Sequence, residues 1–312
     1  MNTYKILITD GLDESGQAVL RASNQVDDRT GVSAEDLLKV IPEYDALIVR
    51  GRTKVNAAVF EAASKLKVVG RAGVGVDNID LEAAKKKGVA VVNAPLSTTL
   101  AVAELTFGLM LALAREIPRA DAALKQGQWI KKELEGIELN GKTLGVIGFG
   151  RIGAEVGKRA AAFGMTVLAY DPLLEADEIK RRGAEPVALD DLYASSDFIS
   201  LHLPLSVQTR DMVGAKAFAQ MKDGIRIVSA ARGGIIDEME LVKALDSGKV
   251  AGAALDVFAE EPTKSPAALH PKLIGTPHVG AQTAEAQSRA GDDIASEVLN
   301  ALQGKPLRWK VA

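Results

Sequence analysis

Residues 145–153 read GVIGFGRIG, and the reading of this stretch decides the fold. Gly148, Gly150 and Gly153 stand in a GxGxxG pattern that ends the strand-like run TLGVI and opens a helix-like run from about Arg151 to Phe163. In such a strand–turn–helix unit the first glycine permits a tight turn and the second lets the backbone approach a pyrophosphate. The third lets the helix pack close to the strand, and N–H groups at the helix start face the phosphates. Eighteen residues past Gly153 the next strand pattern, TVLAY, ends at Asp171, where a carboxylate would accept hydrogen bonds from an adenosine ribose. An acid there repels a 2′-phosphate, and Pro172 rather than an arginine follows it, so the motif favours NAD over NADP.

Outward from this motif, short β-branched runs alternate with helical patterns in two series. KILITD, ALIVRG, KVVGRAG and VAVVNAP belong to the first; TLGVIGFG, TVLAYD, FISLHLP, IRIVSAAR, VAGAALDVF and KLIGTP belong to the second. Such alternation predicts an α/β fold of two doubly wound parallel sheets covered by helices, the second of them the Rossmann type that the glycine motif marks. The expected boundaries are 1–97 with 285–312 for the substrate domain and 98–284 for the cofactor domain, with the chemistry in a cleft between them. An apolar helix is expected from Thr98 past Arg115, and a closing helix ending near Gly304 as its C-cap. The Lys85–Lys87 run before Gly88 reads as a helix C-terminus. A second GxG, in GVGVDN from Gly73, has Asn78 where the third glycine belongs and no acid at the end of the following strand. It is expected to be a loop, not a second cofactor site.

The chain has 312 residues, 47% hydrophobic and 25% charged, which suits a globular two-domain protein. A net charge of −3 offers no general attraction to nucleic acid or to an anionic membrane, so neither is an expected partner. With no cysteine, disulfides and thiolate chemistry are excluded, and a reducing cytoplasm is the expected location. The start, MNTYKILITD, does not read as a signal peptide. The apolar run Leu105–Ala114 is too short to span a bilayer and reads as a buried helix. Histidines and acids show no metal-ligand spacing, so no metal is expected.

Arg232, Glu261 and His278 each lie just past a strand pattern of the second series, where ligands bind in open α/β sheets. The set suits hydride transfer on a 2-hydroxy or 2-oxo acid. A guanidinium can fork a carboxylate, an imidazole can take the hydroxyl proton, and a carboxylate can orient that imidazole. Spacing alone does not set this apart from surface ion pairs, which account for an arginine and a glutamate more often. Around His278, in GTPHVG, Pro277 is expected to end the strand and Gly280 to leave room beside the ring.

Three stretches, ARGGIIDE from Ala231, GAALDVFAEEP from Gly252 and TPHVGAQTAEAQSR from Thr276, resemble the signatures of the D-2-hydroxyacid dehydrogenase family. GRAGVGVDNIDLEAA and AELTFGLMLALAREIP are similar to the branch of that family whose substrate carries a phosphate, and the resemblance covers nearly the whole chain. It implies Arg232 as carboxylate and carbonyl binder, Glu261 as the histidine's partner, His278 as acid/base and Asp256 beside the nicotinamide. It implies a flavodoxin-like substrate domain beside the NAD-binding Rossmann domain, with substrate contacts from Arg50, Arg52, Val74, Gly75 and Gln287, together with Arg232 and His278. Cofactor contacts extend to Arg151, Ile152, Tyr170, Pro204, Ala230, His278 and Gly280.

The implied reaction is NAD-dependent oxidation of 3-phospho-D-glycerate to 3-phosphohydroxypyruvate in serine synthesis, by a homodimer built on the cofactor domain. Alternatives are a glyoxylate or hydroxypyruvate reductase, a lactate-type dehydrogenase and, from another class, an NAD-sensing corepressor. Gly51, the Leu96–Thr99 loop and Ser229 depart from the family's usual residues; the first two bear on substrate, the third on local hydrogen bonding. The ending GKPLRWKVA implies a form without C-terminal regulatory domains. His202 reads either as a cofactor contact or as a satisfied core histidine, and His270, in ALHPKL, as solvated.

Overall fold

The structure, a computed structural model, describes residues 3–312. The chain forms two compact units: one runs to Thr98 and resumes at Ala281, the other is Thr99–Gly280. In the first, β1 (Lys5–Ile8), β2 (Gln25–Asp28), β3 (Ala46–Val49), β4 (Val68–Arg71) and β5 (Ala90–Asn93) pair in the order β2-β1-β3-β4-β5. Every pairing is parallel. This is the flavodoxin-type order, with its topological switch between β1 and β3. β3 reads ALIV and is buried at all positions, as a strand covered on both faces must be. β2 reads QVDD, carries no such pattern, and is a strand only through its pairing with β1 at the sheet edge.

Helix Ala284–Leu302 returns the chain to this unit. A Cβ on Gly70 of β4 would lie 2.6 Å from Val298, and one on Gly16 would lie 2.5 Å from the Gly291 carbonyl oxygen. The helix therefore lies close on β4 and crosses helix Glu14–Arg21 at two glycines, where nothing larger fits. Gly304, at φ 67°, follows the last turn. Lys85–Lys87 fill the last turn of helix Leu81–Lys87, ahead of the left-handed Gly88.

The second unit holds β6 (Thr143–Ile147), β7 (Thr166–Tyr170), β8 (Glu185–Pro186), β9 (Phe198–Leu201), β10 (Ile225–Ser229), β11 (Val250–Leu255) and β12 (Leu273–Gly275). They pair in parallel in the order β12-β11-β10-β9-β6-β7-β8. Counting from β6, this is the dinucleotide-binding order with one strand added, and the winding reverses between β6 and β9.

The apolar helix is Thr99–Ala114, shorter than its pattern suggests. Glu116 adopts φ 51° and a separate helix, Ile117–Lys125, starts there with Pro118 in its first turn. Proline has no N–H for a continuing helix and suits a first turn, so the chain breaks and restarts. Among the described residues no helix is long and apolar enough to cross a membrane.

Candidate active site

The glycine loop follows β6 directly at the reversal point. Gly148 has φ 88°, and a Cβ there would lie 2.7 Å from the carbonyl oxygen of His202. A Cβ on Gly153 would collide with the carbonyl oxygen of Gly148, so the helix can close on the turn only with glycine. Gly150 is different: nothing lies within 4 Å of its Cβ position. It caps helix Arg151–Ala162 with no side chain bonded to the first N–H groups. The loop is thus a tight turn facing open space and uncapped N–H donors, a geometry that fits a pyrophosphate. Arg151 and Ile152 form the first helical turn.

The loop is held from two sides. Asp171, just past Tyr170 at the end of β7, accepts the Phe149 N–H at 2.8 Å on one oxygen and the Leu173 N–H at 2.9 Å on the other. Arg182 donates to the Phe149 carbonyl at 2.8 Å and to Glu178 at 2.7 Å. His202, after β9, hydrogen-bonds Ser200 through Nε2 at 2.7 Å, while its Nδ1 has no partner among the described residues. Burial pushes its pKa down to about 3, so the ring is neutral. Pro204 and Ala230 lie past the carboxyl ends of β9 and β10.

At the edge of the same sheet the histidine loop follows β12. His278 sits in the left-handed region, φ 54°. Such a conformation costs a non-glycine residue about 1–3 kcal/mol. Asp256, only 1% exposed past the end of β11, supplies the compensation. Its carboxylate accepts Thr276 Oγ1 at 2.6 Å, Val279 N–H at 2.8 Å and Gly280 N–H at 2.8 Å. Its carbonyl accepts the His278 N–H at 2.8 Å. Hydrogen bonds to a charged group contribute about 1.5–3 kcal/mol each, so the clamp outweighs the strain. Gly280 does not leave room beside the ring as expected; a Cβ there would lie 3.0 Å from Asp256 Oδ2, so its smallness admits the carboxylate. This loop-holding role of Asp256 has no local sequence signal.

Held this way, His278 Nδ1 lies 2.8 Å from Glu261 Oε2, both side chains about half exposed at 48% and 40%. Glu261 Oε1 accepts the Phe258 N–H at 3.3 Å, which fixes the carboxylate. Phe258 in turn abuts the arginine loop, because a Cβ on Gly233 would strike its carbonyl. Arg232, half-buried, donates to the Ala231 carbonyl at 2.6 Å. A cavity of about 640 Å³ opens beside the dyad, walled by Phe258, Pro262, Ala268 and Pro277 as well as by Glu261 and His278. The arrangement presents a histidine whose Nδ1 is occupied by a carboxylate, leaving Nε2 to exchange a proton.

The other expected residues lie in the first unit. Arg50 and Arg52 follow β3, Val74 and Gly75 follow β4, and Gln287 sits in the first turn of helix Ala284–Leu302, its Nε2 donating to the Ala281 carbonyl at 2.6 Å. GVGVDN is a loop, as expected. His270 corrects an expectation: its side chain is only 10% exposed, paired with Asp246 at 3.3 Å and accepting the Lys272 N–H at 3.1 Å. The 3₁₀ turn Pro266–Leu269 brings it against helix Glu238–Asp246, which its proline-flanked sequence did not suggest. Ser229, the departure at the end of β10, has a buried hydroxyl with no partner among the described residues.

Comparison with known proteins adds the following. The family described as D-isomer specific 2-hydroxyacid dehydrogenase, NAD binding domain, matches residues 107–280. The D-3-phosphoglycerate dehydrogenase of Methanocaldococcus jannaschii is 52% identical over 303 residues, covering 96% of this chain and 58% of that protein. The chain thus spans little more than half the length of this relative. Among solved structures, a glyoxylate reductase from Paecilomyes thermophila matches with a TM-score of 0.91 at 32% identity, over 100% of this chain and 99% of that one. The D-lactate dehydrogenase of Aquifex aeolicus, complexed with NAD and lactic acid, matches with a TM-score of 0.84 at 30% identity, over 96% of each chain.

Proposed function

The chain belongs to the D-isomer-specific 2-hydroxyacid dehydrogenase family, and from that premise we propose that it oxidises 3-phospho-D-glycerate to 3-phosphohydroxypyruvate with NAD. The observation that carries the reading is the His278–Glu261 pair at 2.8 Å, held at a strand end by Asp256. The relative named above, half-identical over nearly the whole chain, supports the phosphorylated substrate.

When bound, NAD supplies the hydride acceptor; the glycine loop and the helix start at Arg151 fit its pyrophosphate, and Asp171 fits its ribose. His278 Nε2 takes the proton of the substrate's C2 hydroxyl. Glu261 accepts the Nδ1–H, fixes the tautomer and stabilises the imidazolium that forms. Arg232 binds the substrate carboxylate through its fork. The loop after β3 that carries Arg50 and Arg52 supplies the phosphate contact, with Val74, Gly75 and Gln287 as further substrate contacts. The reading carries a homodimer in the cytoplasm, with which the absence of cysteine accords.

The test is NADH absorbance with 3-phospho-D-glycerate, D-glycerate, D-lactate and glyoxylate, the last followed in the reducing direction. Turnover best with the phosphorylated acid is expected. Glyoxylate reduced readily while 3-phospho-D-glycerate is left untouched would refute the substrate assignment and keep the reaction class.

A further inference from the structure

We propose that Asp10 and Asn78 form a clamp that positions the Arg50–Thr53 segment, making Arg50 the anion-binding side chain and Arg52 its strut. The proposal rests on the reading of this unit as the substrate-recognising one and refines which residue does the recognising.

The segment is held at both ends and from both sides. Asp10, its side chain 3% exposed, follows β1. Its Oδ2 accepts the N–H of Arg50 at 2.8 Å and the N–H of Thr53 at 3.0 Å, and its Oδ1 accepts the Thr53 hydroxyl at 2.5 Å. Asn78, 8% exposed, does the converse. Its Nδ2 donates to the carbonyl of Arg50 at 3.1 Å and to that of Thr53 at 2.7 Å. An acid takes the two N–H groups and an amide serves the two carbonyls of the same two residues. The types are not interchangeable, because a carboxylate at position 78 would face two carbonyl oxygens with nothing to donate. The residue that spoils GVGVDN as a phosphate loop thus has a task of its own.

The two arginines inside this frame differ. Arg52 donates to the Thr9 carbonyl at 2.6 Å and to the Val32 carbonyl at 3.3 Å, and pairs with Asp10 at 3.3 Å. Its fork is committed to the protein. Arg50 is half-buried, yet among the described residues its guanidinium makes no hydrogen bond or ion pair. Burial lowers its pKa, with only a longer-range pull from Asp10 opposing. A desolvated guanidinium with its donors unmet is stabilised by an incoming anion, and phosphate matches its fork. Asp10, meanwhile, is held below the usual carboxylate range by the Thr53 and Arg50 hydrogen bonds, which outweigh its burial. It stays charged as the frame requires. The clamp joins the loops after β1 and β3, neighbours at the switch point of the five-stranded sheet, where open α/β sheets bind ligands.

The experiment uses the full chain and two readouts. Calorimetric titration with inorganic phosphate needs no turnover; steady-state kinetics compare KM for 3-phospho-D-glycerate with KM for D-glycerate. Arg50→Ala should abolish phosphate binding and raise the phosphate-specific KM ratio by about tenfold or more. Asn78→Ala should weaken phosphate binding severalfold and move that ratio more than it moves kcat, and Asn78→Asp should do worse than Asn78→Ala. Arg52→Ala should lower Tm and keep phosphate binding. Phosphate binding lost in Arg52→Ala but kept in Arg50→Ala overturns the assignment, as does a wild type that binds no phosphate. An Asn78→Ala protein with wild-type phosphate affinity overturns the clamp. If phosphate binds through Arg50 while 3-phospho-D-glycerate is not turned over, the substrate reading fails and the clamp stands.

Discussion

Asp171 and Asp256 occupy matching places in the seven-stranded sheet and end up with different tasks. Each lies just past the carboxyl end of a strand, and each accepts backbone N–H groups from the loop after the neighbouring strand: β7 serving the glycine loop after β6, β11 serving the histidine loop after β12. Asp256 is 1% exposed and its two oxygens already accept three hydrogen bonds. Asp171 is half-buried and accepts two, one on each oxygen. A carboxylate oxygen has room for about two partners, so Asp171 keeps lone pairs free for a ligand and Asp256 keeps almost none in a place water or ligand could reach. A sealed acid sets a loop; a half-open one can set a loop and bind.

The most severe way to probe the sealed side is to remove what it presents. His278→Ala should lower kcat by about 10²–10⁴-fold, the usual share of a positioned acid/base, in an NADH assay. Wild-type turnover would mean that the Asp256-held loop presents no chemistry. Next comes the holder itself. Asp256→Asn keeps the shape but turns one acceptor into a donor facing an N–H or hydroxyl group. Leaving such a group unmet costs about 1–3 kcal/mol, seen as a lower Tm. A reacting group misplaced by 1 Å can lose about 10²-fold, so kcat should fall on that order with KM for NAD little changed. The opposite split, KM for NAD raised and kcat kept, would make Asp256 a cofactor contact and collapse the distinction.

That distinction is where legibility in the sequence stops. Local order was readable: the three glycines, the run into Asp171, and the strand ends carrying Arg232, Glu261 and His278 all lie in patterns a few residues long. Contacts across the sheet were not. The partners of Asp256 lie 20 to 24 residues away, and nothing around Leu255 announces them. Asn78 looked like a spoiled glycine motif because the carbonyls it serves are 25 and 28 residues upstream. β2 escaped notice because an edge strand needs only backbone pairing, and QVDD has no apolar rhythm. The helix past Ala114 was overextended because an apolar count does not register the left-handed turn at Glu116.

On the half-open side the expected effect is smaller. Asp171→Ala should shift the preference for NAD over NADP by about tenfold, the worth of one charge-assisted hydrogen bond, read as the ratio of kcat/KM values. kcat with saturating NAD should change less than in Asp256→Asn. If the cofactor ratio stays put and Tm falls instead, Asp171 is another sealed-type loop holder despite its exposure.

The smallest effect separates the two jobs that Asp171 combines. Arg182 also holds the glycine loop, through the Phe149 carbonyl, but its cationic head offers a ribose hydroxyl no acceptor. Arg182→Ala therefore loosens the loop without touching a ribose contact. One such partly buried hydrogen bond is worth about 1 kcal/mol, so KM for NAD and for NADP should each rise up to about fivefold and in the same proportion. A ratio that moves as far as in Asp171→Ala would show that loop position alone sets cofactor choice, and the lone pairs left on Asp171 would then have no task to explain.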